Sequence, residues 1–226
     1  MLFTKNIAQL TDLQYFGSIN YYSNLIKCSP ICFRPSIPYK KEQKCNRTFI
    51  MGANGLILLS LPLAGGRSVK GPIGEIAIAE DDRWKMVHWR GIHDAYRKAP
   101  WFDAYGWELE QILKQADNRL YPLNLCILRW VLAKLRADVE IVALNNQEMS
   151  ENEVMKRPIG HTAPLGSIPE GYPTYQQVFS DRLGFVGNLS IIDLLMNEGP
   201  AARDYLIHLA EYQEREVNAQ NDQKLI

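Results

Sequence analysis

Between residues 84 and 135 the apolar positions recur with helical period in three successive segments, and on both sides the pattern shortens to that of strands. Trp84–Lys98 ends before Pro100. Asp103–Ala116 aligns Tyr105, Leu109, Ile112 and Ala116, and Leu120–Leu135 aligns Leu120, Ile127, Val131 and Leu135. Upstream, Tyr15, Ile19, Tyr22 and Ile26 set a first amphipathic helix over Tyr15–Lys27, and Ile31-Cys32-Phe33 follows as a strand. Cys45–Met51 and Leu56–Leu61 flank Ala53-Asn54-Gly55, and Asn-Gly between apolar runs signals a hairpin. Ile73–Ala79 and Val139–Leu144 read as further strands, and two helices close the chain after the short apolar piece Leu183–Val186. The expected fold is a mixed α/β domain: a central sheet that includes the Asn-Gly hairpin, packed by three helices from the middle and two from the C-terminus.

At 226 residues one large domain is the expectation, over 1–213, with a polar, fraying tail over 214–226. The stretch 145–174 carries Pro158, Pro164, Pro169 and Pro173 with Gly160, Gly166 and Gly171. A loop of that length serves as a lid or binding loop, or is disordered. Lys+Arg and Asp+Glu both number 25, so no bulk charge draws the chain to nucleic acid. No apolar run approaches the ~20 residues that span a bilayer, and Met1–Thr11 has no secretory pattern, so a cytoplasmic location is expected. Cys28 and Cys32 are spaced C-x3-C without a partner pair at zinc spacing, so no metal site is expected, and no motif names a cofactor. G-x-S-x-G, H-E-x-x-H and Walker sequences are absent from the chain.

Several residues carry chemistry in this pattern. Ser190-x-x-Asp193 has capping-box spacing, and Gly199-Pro200 stops that helix and starts the next. The segment either only caps its helix, or Asn188, Ser190 and the free N–H groups of the helix start bind an anion, with Asp193 as a base. His88 falls on an apolar helix face, either as a core histidine or as a general base. Asn124 likewise braces backbone or contacts ligand. Tyr39-Lys40-Lys41 with Asn46-Arg47 is either a solvated basic face or a phosphate or carboxylate clamp. His161 acts only if its loop closes, and Gly65-Gly66-Arg67 reads as a turn.

The run Asn188-Leu189-Ser190-Ile191-Ile192-Asp193 through Asn197-Glu198-Gly199 resembles the closing motif of the bacterial WbqC-like family. The likeness extends to Tyr39-Lys40, Asn46-Arg47, Leu59-Ser60-Leu61-Pro62 and Trp84 with His88-Trp89. It continues in Ala95-Tyr96-Arg97, Pro100-Trp101-Phe102, Leu123-Asn124 and Tyr175 with Gln177-Val178-Phe179. The resemblance implies a cytoplasmic protein of O-antigen or other surface-polysaccharide biosynthesis. Its implied activity is transfer of an acyl or aminoacyl group to a nucleotide-linked amino sugar, with partner proteins of polysaccharide assembly; the other reading is a non-catalytic binding or scaffold protein. The sites so implied are His88 and Asp193 for proton transfer, and Tyr39, Lys40, Asn46, Arg47, Asn124, Tyr175, Gln177, Asn188 and Ser190 for a nucleotide sugar or other anionic small molecule. Gln9–Gln14 lacks the proline usual before the first helix, and Phe33–Pro38 lacks the acidic residues many members carry there.

Overall fold

A computed structural model describes residues 8–144, 154–155, 165–166 and 168–223, so His161 and most of the Pro/Gly-rich stretch before residue 165 lie outside the described residues. The fold is mixed α/β, as expected. Strands β1 (Ala8–Leu10), β2 (Ile31–Phe33), β5 (Ile141–Ala143) and β6 (Val154–Met155) form a parallel sheet in the order β5-β2-β1-β6. Ile31 pairs with both Gln9 and Ile141, which fixes the register. Helix α1 (Ile19–Leu25) connects β1 to β2, the crossover a parallel pair requires. It is shorter than the periodicity predicts because Tyr15, Phe16 and Gly17 form a bend ahead of it, with Phe16 at φ 41°.

The hairpin forms, but in its own sheet. Strands β3 (Arg47–Gly52) and β4 (Gly55–Ser60) pair antiparallel from Arg47–Ser60 to Gly52–Gly55 and do not join the parallel sheet. The turn residues are Ala53 and Asn54, and the positive φ, 115°, falls on Gly55. The strand expected over Ile73–Ala79 is a 3-10 turn, Ile73–Glu75, followed by backbone that pairs on both sides through single bridges, Ala77 with Arg119 and Leu63 with Ile78. Pro72 at the start and short neighbours leave no room for a continuous ladder.

Helices α2 (Arg83–Tyr96), α3 (Phe102–Lys114) and α4 (Leu120–Lys134) follow; α2 and α4 bury the stripe their periodicity marked, whereas α3 buries Tyr105, Leu109 and Leu113 and leaves the expected Ile112 half-buried. A short helix α5 (Ser180–Leu183) ends where the short apolar piece Leu183–Val186 begins. Helix α6 (Ile191–Glu198) is apolar on nearly all sides and buries Ile191 through Asn197, so it runs through the core rather than over it. Helix α7 (Ala202–Gln223) continues through the stretch expected to fray. Its last turns are rich in Glu, Arg and Gln, good helix formers, and Glu214 pairs with Lys27 at 3.0 Å.

Candidate functional site

Three segments far apart in sequence meet beside α6. Asn188 takes a left-handed conformation, φ 58°, which asparagine tolerates well. Its Oδ1 accepts the Asn20 N–H at 3.0 Å and so satisfies a donor in the first turn of α1. Ser190 is the N-cap of α6. Its Oγ donates to the Phe16 carbonyl (3.0 Å), and that carbonyl also accepts the Thr48 hydroxyl (2.8 Å). Backbone bonds complete the junction: Ser190 N–H to Phe49 O (2.8 Å), Ile191 N–H to Gly17 O (2.9 Å) and Ile19 N–H to Leu189 O (2.9 Å).

Over this junction lies a cleft of about 320 Å³. Its polar wall is Gln14, Ser18, Thr48, Asn188 and Ser190; Phe49, Leu165 and the backbone of Gly17 supply the rest, and Lys44 and Arg47 bring the charge. Lys44 sits at φ 56°, and its ammonium is held below the ordinary lysine value by desolvation and by the Arg47 guanidinium. Arg47 Nη2 donates to the Lys41 carbonyl at 3.2 Å. Two cations with hydroxyl and amide groups, and no carboxylate among the described lining residues, suit an anion.

Of the residues singled out in the sequence, Arg47, Asn188 and Ser190 line the cleft together, but the N–H groups of the helix start do not serve it. The Ile191 N–H is taken by Gly17 O, and those of Ile192 and Asp193 by the side chain and carbonyl of Ser190, so these donors are already occupied within the protein. Lys44, Gln14, Ser18, Thr48, Phe49 and Leu165 were not singled out in the sequence. Lys44 alone left a signal, three residues before Arg47 in the same basic run.

The remaining expected residues lie elsewhere. His88 is buried in α2 with its Nδ1 2.8 Å from the Tyr15 hydroxyl and the Trp84 ring edge-on. Burial pushes its pKa down to about 4, a hydrogen bond with the Ser60 backbone opposing this in part, so the ring is neutral near pH 7. Asp193 is 1% exposed. Its carboxyl accepts from the hydroxyls of Tyr96 (2.8 Å) and Tyr175 (2.5 Å) and from Gln177 Nε2 (3.0 Å). Burial outweighs those donors and raises its pKa to about 6. The carboxyl thereby fastens residues 175–177 and α2 to α6. Gln177 also clasps the Val186 backbone, accepting its N–H at 2.9 Å and donating to its carbonyl at 3.0 Å.

Tyr39 donates to Asn46 Oδ1 (3.0 Å) and Asn46 Nδ2 to the Leu61 carbonyl (3.2 Å), which anchors the loop entering β3. The Lys40 N–H bonds Gln43 Oε1, and its charge acts on Asp12 rather than on the cleft. Asn124, fully buried, donates from Nδ2 to the carbonyls of Leu13 (3.2 Å) and Cys45 (2.7 Å), bracing both segments that carry the cleft's Gln14 and Lys44. Asn124→Ala is expected to lower unfolding free energy by ~2 kcal/mol, because two buried carbonyls lose a donor. Urea denaturation checks this; a change within ~0.5 kcal/mol would contradict the bracing role.

Among the described residues no group of three His, Cys, Asp or Glu side chains is placed to hold a metal ion, and no helix is long and apolar enough to cross a membrane. No curated protein and no solved structure matches the chain. A sequence model does: that of the WbqC-like protein family, over residues 14–166 and 167–205.

Proposed function

Because the chain belongs to the WbqC-like protein family, we propose that it takes part in surface-polysaccharide biosynthesis in the cytoplasm, holding the phosphate part of a nucleotide-linked amino sugar in the cleft at Lys44 and Arg47. One observation carries the reading: two cations from a single short segment, Lys44–Phe49, meet Asn188 and Ser190 of the closing motif across one cleft. A guanidinium and an ammonium offer several donors to phosphate oxygens, and Ser18 and Asn188 are placed to orient the rest of the ligand. As a transferase of acyl or aminoacyl groups, the protein uses its cleft chiefly to position the sugar and its phosphates. A non-catalytic binding role is favoured by a specific feature: His88 and Asp193, the expected proton-transfer groups, are sealed in the core by Tyr15 and by the Tyr96–Tyr175–Gln177 donors.

Thermal denaturation with a panel of nucleotide sugars tests the site. A ligand at a hundred times its dissociation constant stabilises the fold by ~2.7 kcal/mol, and the midpoint should rise with wild type and stay fixed with Arg47→Ala. No shift with any nucleotide sugar at millimolar concentration would remove the support for this reading.

A further inference from the structure

The hairpin presents two unlike faces. Leu59 turns inward, where its side chain comes within 3.5 Å of a β-carbon position at Gly91 of α2, and Ile50 and Thr48 share that buried face. Side chains alternate along a strand, so Arg47, Phe49 and Met51 of β3 and their cross-strand partners Ser60, Leu58 and Leu56 share the other face. Met51 is buried, Phe49 is half-buried, and the two leucines are open: Leu58 is 50% and Leu56 49% exposed. Isolated exposed leucines are ordinary. These two are same-face neighbours on β4, beside Phe49, a residue of the cleft wall, in a row that starts at the Arg47 charge.

We infer that the ligand of this cleft is an amphipathic anion, an organic phosphate bearing a single aliphatic chain, whose head group sits at Lys44 and Arg47 and whose chain runs over Phe49 and along Leu58 and Leu56. The inference rests on the anion site proposed above and narrows its ligand to the form of the nucleotide-linked amino sugar that carries the transferred acyl chain. Charge complementarity fixes one end: the cleft is cationic where the apolar row begins. Continuity fixes the path, because Phe49 belongs both to the cleft wall and to the Phe49–Leu58 pair. Length fixes the extent: two same-face steps along the strands from the Arg47–Ser60 rung to the Met51–Leu56 rung cover ~14 Å, an extended chain of about ten carbons. Width fixes the number of chains. The row is one strand pair wide, ~5 Å, room for a single chain rather than a bilayer surface.

Titration calorimetry with inorganic phosphate, butyl phosphate and octyl phosphate, kept below their micelle thresholds, tests it on the intact protein. Octyl phosphate is expected to bind at least about tenfold more tightly than butyl phosphate, since each methylene half-buried on the row roughly doubles affinity. Leu56→Ser/Leu58→Ser changes only exposed side chains, so the fold should survive; it should erase the chain-length dependence while leaving inorganic phosphate binding as in wild type. Arg47→Ala should abolish binding of all three. Equal affinities for butyl and octyl phosphate, or a chain-length dependence that persists in the double variant, would overturn the aliphatic row while leaving the anion site standing. Failure of inorganic phosphate and both esters to bind would sink the anion site itself. Binding to vesicles of phosphatidylglycerol and phosphatidylcholine without binding to monomeric octyl phosphate would also overturn the inference, pointing to a membrane surface instead.

Discussion

Gly199→Ala should lower the free energy of unfolding by ~3 kcal/mol or more, and urea denaturation of the purified variant measures it directly. The residue closes α6 at φ 54° and ψ −126°, a combination that residues with a β-carbon rarely adopt, and such strain alone costs ~1–3 kcal/mol. Space adds a second penalty. A β-carbon at Gly199 would overlap the indole of Trp101, whose backbone N–H donates to Met196 O (3.0 Å) and whose ring stacks on Tyr105 at 5.8 Å. Overpacking of this kind costs a further ~1–3 kcal/mol. Trp101→Leu in the same background separates the two contributions. If the clash contributes, the double variant loses less than the sum of the single losses. A Gly199→Ala protein within ~1 kcal/mol of wild type would refute both parts.

Asp193→Ala is expected to cost ~3 kcal/mol at neutral pH, because it strands the buried hydroxyl donors of Tyr96 and Tyr175 and one amide hydrogen of Gln177. The loss should also depend on pH. Burial raises this carboxyl from 3.8 to about 6, so the folded state favours its protonated form. The stability that follows is present in full below pH 3.8 and disappears as pH rises through about 6. His88 has the opposite sign. Its pKa falls from 6.5 to about 4, so its contribution is present above pH 6.5 and is lost as pH falls through about 4. Between about pH 4 and pH 6 the two slopes oppose each other. Asp193→Ala should therefore expose a stability that climbs with pH across that window, with its deficit against wild type larger at pH 4 than at pH 7. His88→Gln should expose the descending slope. A deficit for Asp193→Ala that does not change with pH would show that the carboxyl is not titrating there.

Much of this architecture was legible because it follows local period. The stripes of α2, α3 and α4 are simple i, i+4 patterns, and the hairpin announces itself by Ala53-Asn54-Gly55 between two apolar runs. Its sheet assignment was not legible: a strand pair's partner depends on distant backbone, and here β3 meets the Ser190 N–H rather than β2. Residues 73–79 misled because apolar alternation reports burial, and burial there is met by single bridges to 63 and 119. At the site, Arg47, Asn188 and Ser190 stood out by chemistry and by family likeness. Lys44 and Phe49 did not, since neither a lone lysine nor a strand phenylalanine shows in sequence which way it faces. His88 and Asp193 drew attention as titratable groups on apolar faces, and those faces bury both side chains.

The Phe16 carbonyl, which takes hydroxyls from both Thr48 and Ser190, has a consequence for how the chain matures. Ser190 and Phe16 are 174 positions apart, so the cleft floor closes only after the chain has been made through Ser190 and α6 has docked. A ligand that spans Lys44 and Asn188 then grips early and late parts of the chain at once. Amide hydrogens in α1 and α6 alike should exchange more slowly when it is bound, because neither can open without releasing it.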